Sequence, residues 1–506
     1  MIKFNKITNF DISSYAANKR NSSVLFLSLV ALNVFAFFIF VAHHPLHNHA
    51  LRMPWINPLD QVHHGRWFNF FLMKLTGAAD IPVFLPLFAI VLNVISGILL
   101  LRILDLKLSK LESFIVVGLI TTFPMFLSLF YFTWSTPLTV IGGMFAVLSV
   151  FCTKKLSFFS VLSGSFFFLL MMASYQVGIS IFAAVAVMSI ISALYANARF
   201  TDILYSGVAR FLSAVFGGLL YLFSIELTGA SSHATETIGL EQLPARIVQV
   251  AEISFQHLIV TQPDLLNFQK ELGLALLAIG VLLSLLVRPV SPARMVLVLA
   301  SWLVLIVSTK AMYLVSSNNV FFEYRYNTSL AFLLGFTAAI ALHCSQLKIV
   351  RSTVIVLSLL LLTKNVQADL IRQEVLMRGQ QHDLALANRI LARIESLSQL
   401  DTTKTYDLVR VGSYSSFRHS IMSAQGHGWD KPGDTHMDKG DITDTWADED
   451  VFILLGSKVR FKHRGFDPQF KKKIQDARAE LLNDRKPWPH KSSVFIHEDK
   501  IIVYMN

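Results

Sequence analysis

The stretch from His43 to Trp67 reads HHPLHNHALRMPWINPLDQVHHGRW and is the richest in chemically capable side chains. Histidines flank two arginines, Arg52 and Arg66, and Asp60 is the only acid in this loop before Asp80. A carboxylate can take a proton from a hydroxyl, and a guanidinium fork suits phosphate. Read as an active-site loop, Asp60 is the general base, and Arg52, His63, His64 or Arg66 meets a phosphate. Read plainly, it is a polar loop whose Trp67 and Phe68 sit at headgroup level, with Trp67–Leu75 as an interfacial helix rather than a strand. The histidines lack the convergent Cys or carboxylate spacing of a zinc site and the HExxH form, so no metal is assigned.

Other candidates lie further on. A second polar loop carries Glu226, Glu236, Glu241, Arg246, Glu252 and His257. Glu226 falls at a helix end, where a carboxylate is costly unless it has a purpose or reaches water. Glu323-Tyr324-Arg325-Tyr326-Asn327 precedes a later apolar run, with Arg325 either binding a lipid phosphate or completing an aromatic belt. Lys310 stands inside an apolar run, where it either snorkels outward or lines a phosphate-facing cavity. No phosphate-binding GxxxxGK[ST] loop and no nucleophile elbow occurs, which argues against ATP-driven transport within the chain.

These residues must be positioned by membrane helices. The chain has 506 residues, 54% hydrophobic and 15% charged, far below the roughly 25% charged residues of soluble domains. Uncharged runs of about 20 residues match the hydrocarbon thickness of a bilayer. About eleven spans are expected, near 23–42, 82–101, 113–131, 135–151, 157–173, 176–194, 204–225, 272–287, 294–315, 328–344 and 350–363. The first run is longer than a signal-peptide core and is read as an uncleaved helix. The net charge of +11 then reflects Lys and Arg in cytoplasmic loops rather than nucleic-acid binding. With the N-terminus inside, every inside segment is basic, including Arg102, Lys107 and Lys110, then Lys154 and Lys155, then Lys348 and Arg351. An odd number of crossings exports the C-terminus. Cys152 and Cys344 fall at cytoplasmic helix ends and read as reduced, inert thiols.

This predicts a polytopic all-α membrane domain, residues 1–363, with outer loops about 43–80 and 228–270. A small α/β domain follows, residues 364–506. Its first part, Val366–Leu400, carries apolar residues at helical spacing. Candidate strands are Tyr406–Val411, Val451–Leu455, Ser493–His497 and Ile501–Tyr504, the last two at hairpin spacing.

The chain also resembles a known family. Asn48-His49-Ala50-Leu51-Arg52, His64-Gly65-Arg66-Trp67, Ser174-Tyr175-Gln176 and Arg325 carry the resemblance through the membrane part. Asp383–Ile390, Lys486-Pro487-Trp488-Pro489, Ser492-Ser493-Val494 and the strand Lys500–Tyr504 carry it in the tail. In this order they resemble the bacterial serotype-converting glucosyltransferases that decorate O-antigen, which are GT-C-like enzymes of the inner membrane. The resemblance implies transfer of glucose, or another hexose, from a polyprenyl-phosphate carrier to lipid-linked O-antigen on the periplasmic face. It implies a companion flippase and a donor synthase as partners, and no cofactor. The family has paired acids before the loop arginine, whereas this chain has Asn48 and His49. Asp60, from a shifted position, or a second-loop acid such as Glu226 is left to serve as base. Arg52, His64, Arg66 and Arg325 are the expected phosphate contacts. The alternatives are a lipid-linked sugar flippase or exporter, an O-antigen polymerase, and a receptor-like protein anchored by its helices.

Overall fold

The computed structural model describes residues 12–43, 59–75, 81, 83–130, 136–230, 239–259, 268–286, 291–314, 327–412, 451–453, 455–462 and 476–505. This part of the chain is mostly helical. The helices in order are α1 (Ile12–Ala36), α2 (Phe38–Ala42), α3 (Leu59–His63), α4 (Trp67–Leu75), α5 (Phe84–Leu104), α6 (Lys110–Thr121), α7 (Leu127–Phe130) and α8 (Thr136–Cys152). They continue with α9 (Phe158–Ser174), α10 (Gly178–Tyr195), α11 (Phe200–Thr228), α12 (Leu243–Ile259), α13 (Gln269–Leu286), α14 (Pro292–Ser308), α15 (Ser329–Cys344) and α16 (Lys348–Glu395). By length and composition, α5, α10, α11, α13 and the first half of α16 can each cross a membrane. Shorter apolar helices lie within α1, α8, α9, α14 and α15. The chain is a membrane protein.

Local chemistry fixes where these helices begin and end. Ser109 and Glu112 form a capping box at the start of α6, each side chain binding the other's backbone N–H. Ser157 caps α9, and Ser291 with Pro292 opens α14. Gly229, at φ 63°, closes α11 in the left-handed conformation that glycine adopts freely.

Two expected spans are corrected. The run 113–131 is not one helix: α6 stops at Thr121, Phe123 is extended ahead of Pro124, and a 3-10 turn, Pro124–Phe126, leads into α7. The residue before a proline is driven out of helical geometry, which accounts for the break. The run 294–315 likewise ends at Ser308 and passes into a 3-10 turn, Ala311–Leu314. Lys310, between them, is 1% exposed, so the outward-snorkelling reading fails.

Close packing joins α9 to α11 along a stripe of small residues. A Cβ on Gly217 would lie 2.7 Å from the Ser165 carbonyl oxygen. Further along the same face, the Ser213 hydroxyl donates to the Val161 carbonyl at 3.1 Å. Buried side chains from α2, α5, α6, α8, α10 and α15 share one apolar core. At its edge Glu112, 1% exposed, receives two hydrogen bonds from Arg351, at 2.5 and 2.7 Å.

Helix α16 runs unbroken for 48 residues, joining the expected span 350–363 to the expected helix that follows it. Its last third packs Leu386, Ile390 and Ile394 onto a four-stranded sheet of order β2-β1-β4-β3. The strands are β1 (Thr405–Val411), β2 (Arg460–Phe461), β3 (Val494–His497) and β4 (Lys500–Tyr504). Strand β1 runs parallel to both neighbours, while β3 and β4 form an antiparallel hairpin. Val409, Val411, Phe495 and Ile502 face a second apolar cluster with Leu481, so the sheet is covered on both faces. The expected strand Val451–Leu455 is corrected: residues 451–453 are helical, and Val451 and Phe452 pack into the α16 side. A short apolar run of this kind fits a buried strand or a helix equally well.

Candidate active site

Helix α3 carries Asp60, and α4 begins seven residues after it at Trp67. The turn between them is tied by Gly65 N–H to the Val62 carbonyl at 2.8 Å and Arg66 N–H to the Gln61 carbonyl at 2.7 Å. Gly65 takes φ 71°, a conformation a bulky side chain would resist. The carboxylate-bearing helix and Arg66 are thereby held across one tight turn. The Asp60 side chain itself lies outside the described residues, as do Arg52 and Arg325.

Arg66 meets the turn between α9 and α10. Its guanidinium lies over the Tyr175 ring, 4.9 Å from the centroid, and its Nε faces Gln176 Oε1 at 3.5 Å. The other end of the Gln176 amide donates to the Tyr221 hydroxyl at 2.9 Å and to the His64 carbonyl at 3.4 Å. Tyr221 accepts there, so its own O–H remains a donor. Two further contacts lock α4 in place. Trp67 Nε1 donates to Ser224 at 2.8 Å, and Asn69 donates to the Ser174 carbonyl at 2.9 Å. Asn69 and Ser174 are buried, so these bonds form away from competing water.

The structure thus brings together His64, Arg66 and the Tyr175-Gln176 turn, pieces separated by more than a hundred positions. It does not bring Glu226 to them. Glu226 is exposed in the last turn of α11, off the face that carries Tyr221 and Ser224. The side chains the sequence reading gave no role are Tyr221, Ser224 and Asn69. Each is a polar group in an apolar stretch, and that was the available signal.

A second polar region adjoins the Tyr175 turn. Lys310, Asn327, Thr328 and Ser329 are buried. Met312 N–H donates to Ser180 at 3.0 Å, and Ser329 donates to the Thr309 carbonyl at 2.6 Å. Behind Tyr175, a cavity of about 20 Å³ is lined by Asn93, Ser96, Thr139 and Thr328. That volume suits one water and is too small for a sugar ring. Helix α12 from the second polar loop packs against α14 and the 311–314 turn, closing this end of the bundle. Among the described residues, no three His, Cys, Asp or Glu side chains gather as metal ligands.

The described residues thus form a bundle of apolar membrane helices with an arginine-centred polar cluster at one end. Residues 37–365 match the family model described as Glucosyl transferase GtrII, and the chain belongs to that family. It is a glucosyltransferase. No curated protein and no solved structure matches it.

Proposed function

We propose that this enzyme moves glucose, or another hexose, from a polyprenyl-phosphate carrier to lipid-linked O-antigen or a related surface glycan. The observation that carries the reading is the tie between the Asp60 helix and Arg66, the latter oriented by Tyr175, Gln176 and Tyr221. In the mechanism the acceptor hydroxyl attacks the anomeric carbon as the bond to the carrier phosphate breaks. Asp60 takes the hydroxyl proton. Arg66, with Arg52, His64 and Arg325, stabilises the departing polyprenyl phosphate, a large term wherever charge develops away from water. The Tyr221 hydroxyl supplies a neutral donor beside it.

The proposed topology has eleven crossings, counting the broken α6–α7 segment as one. It places the N-terminus in the cytoplasm of a bacterial inner membrane and the site and tail in the periplasm. Residues 1–363 are the transferase domain, and residues 364–506 an α/β domain that helps hold the polymeric acceptor. The partners are a companion flippase and a donor synthase. Family membership favours transfer over the flippase or exporter alternative, while a polymerase would join whole repeat units instead of adding one hexose.

The test compares the mass of the surface polysaccharide repeat unit with and without this gene, and with Asp60→Asn, at equal protein level. One hexose added by the wild type and lost in the variant supports both the class and the base. A hexose retained by the variant transfers the base to Glu226 or another second-loop acid. No hexose in the wild type, with donor-making companions present, sinks the reading.

A further inference from the structure

Arg210 lies in α11, eleven residues before Tyr221 and about 16 Å from it along the helix. It is 6% exposed, and its Nε and Nη1 have no hydrogen-bond partner. A buried guanidinium without an anion is expensive, so an arginine kept at such a place in a membrane helix calls for one. The pairing of Ser213 with Val161 and of Gly217 with Ser165 sets Arg210 level with the first turn of α9. That turn carries the positive end of the helix dipole.

Two more cations converge on the same place. Lys154, in the loop between α8 and α9, donates to the carbonyl of Arg102 at 2.7 Å. Burial holds the Lys154 ammonium below its usual range; Asp105 opposes that shift, while Arg210 and Arg102 reinforce it. The cluster is therefore net cationic.

The rim identifies the source of the anion. Phe158, Phe159, Phe200 and Tyr205 are all more than half exposed around this end of α9 and α11, an apolar aromatic rim suited to contact with lipid. Arg102 also heads an open groove of about 500 Å³ between α1 and α5, walled by Phe26, Leu27, Ile95 and Leu99. Apolar wall, polar head and aromatic rim suit an acyl chain carrying a phosphate better than a free ion.

We propose that Arg210, Lys154 and Arg102 bind the phosphate of an anionic phospholipid, at the end of the bundle opposite the Arg66 cluster. The site stands apart from the transferase reading and does not depend on it.

The test uses the full-length protein in detergent, with phosphatidylglycerol, phosphatidylcholine and inorganic phosphate as probes. Melting temperature and retained lipid by native mass spectrometry are the readouts. Phosphatidylglycerol is expected to raise the melting temperature and to remain bound, and phosphatidylcholine and inorganic phosphate to do neither. Arg210→Leu is expected to fold, since it removes a buried charge, and to weaken phosphatidylglycerol retention at least about tenfold. Lys154→Gln, in the loop between α8 and α9, is expected to weaken it several-fold. Equal retention by wild type and both variants would mean general annular contact and would overturn the proposal. So would an absent effect in the wild type, or an equal effect of inorganic phosphate, which would make the site one for free oxyanions.

Discussion

At the scale of single residues, Arg66 is the side chain on which the candidate site turns. Its planar group stacks on Tyr175 and presents Nε to Gln176, and a lysine can reproduce neither geometry. Arg66→Ala is expected to lower glucose transfer by roughly a hundredfold or more, as loss of a charge-stabilising donor does elsewhere. Arg66→Lys should recover little of it. Transfer of labelled hexose from lipid-linked donor, at equal protein level, checks both. Glu112 makes a different point. It is 1% exposed while its partner Arg351 is 42% exposed, so the two ends of the pair are unequal. Removing the arginine strands a buried carboxylate, whereas Glu112→Gln leaves a neutral group. Arg351→Ala should therefore lower the melting temperature more than Glu112→Gln does. The expected cost is about 1–3 kcal/mol, toward the lower end because Arg351 is partly screened.

At the scale of elements, the seam between α9 and α11 depends on absent side chains. Gly217→Leu would drive a Cβ into the Ser165 carbonyl and Phe168, while nothing lies within 4 Å of a Cβ at Gly218. The first should cost about 1–3 kcal/mol and the second, as Gly218→Ala, nothing measurable in a melting experiment. In the tail, the β3–β4 turn is held by Lys500 and Lys462, which pull Asp499 down to about 2 from an ordinary 3.8. A carboxylate lowered in the folded state stabilises above its unfolded value and loses that contribution as pH falls through the folded one. Trp488 fluorescence should report loosening of the hairpin between about pH 4 and pH 2. Asp499→Asn should flatten the response in that window.

The sequence made some of these elements legible and hid others for identifiable reasons. Helix α4 followed from Trp67–Leu75 because its apolar and aromatic residues do not alternate. The α9–α10 turn followed from Ser174-Tyr175-Gln176. The break at Pro124 was missed because a hydropathy window weighs side chains and ignores backbone geometry. The length of α16 was missed because its pattern changes from uniformly apolar to amphipathic near Lys364, and the change of solvent masks the continuity of the helix. Within the site, His64 and Arg66 stood out as polar motif residues. Tyr221 and Ser224 did not, since a hydroxyl in an apolar helix carries no sign of what it faces.

At the scale of the whole molecule, one bundle carries two polar ends. Arg66, Tyr175 and Tyr221 gather at one, and Arg102, Lys154 and Arg210 at the other, with α11 running between them. Helix α16 is the other long connection. At about 1.5 Å per residue its 48 residues extend about 72 Å, more than twice the thickness of a hydrocarbon core. It enters beside α6 and leaves as one wall of the tail sheet's core.

An unbroken helix transmits rotation as well as distance. Each residue added to its exposed middle would swing the tail sheet by about 100° about the helix axis and lift it by about 1.5 Å. Seven added residues return almost to the starting phase. Insertions near Arg378, where the helix is exposed, should therefore affect glycan modification periodically: severe at two residues, mild at seven, although seven displace the tail farther. A response that worsened steadily with insert length would mean that the tail's height, not its bearing, is what matters. The phase of one helix thus sets the bearing of the whole tail sheet without altering a single residue of that sheet.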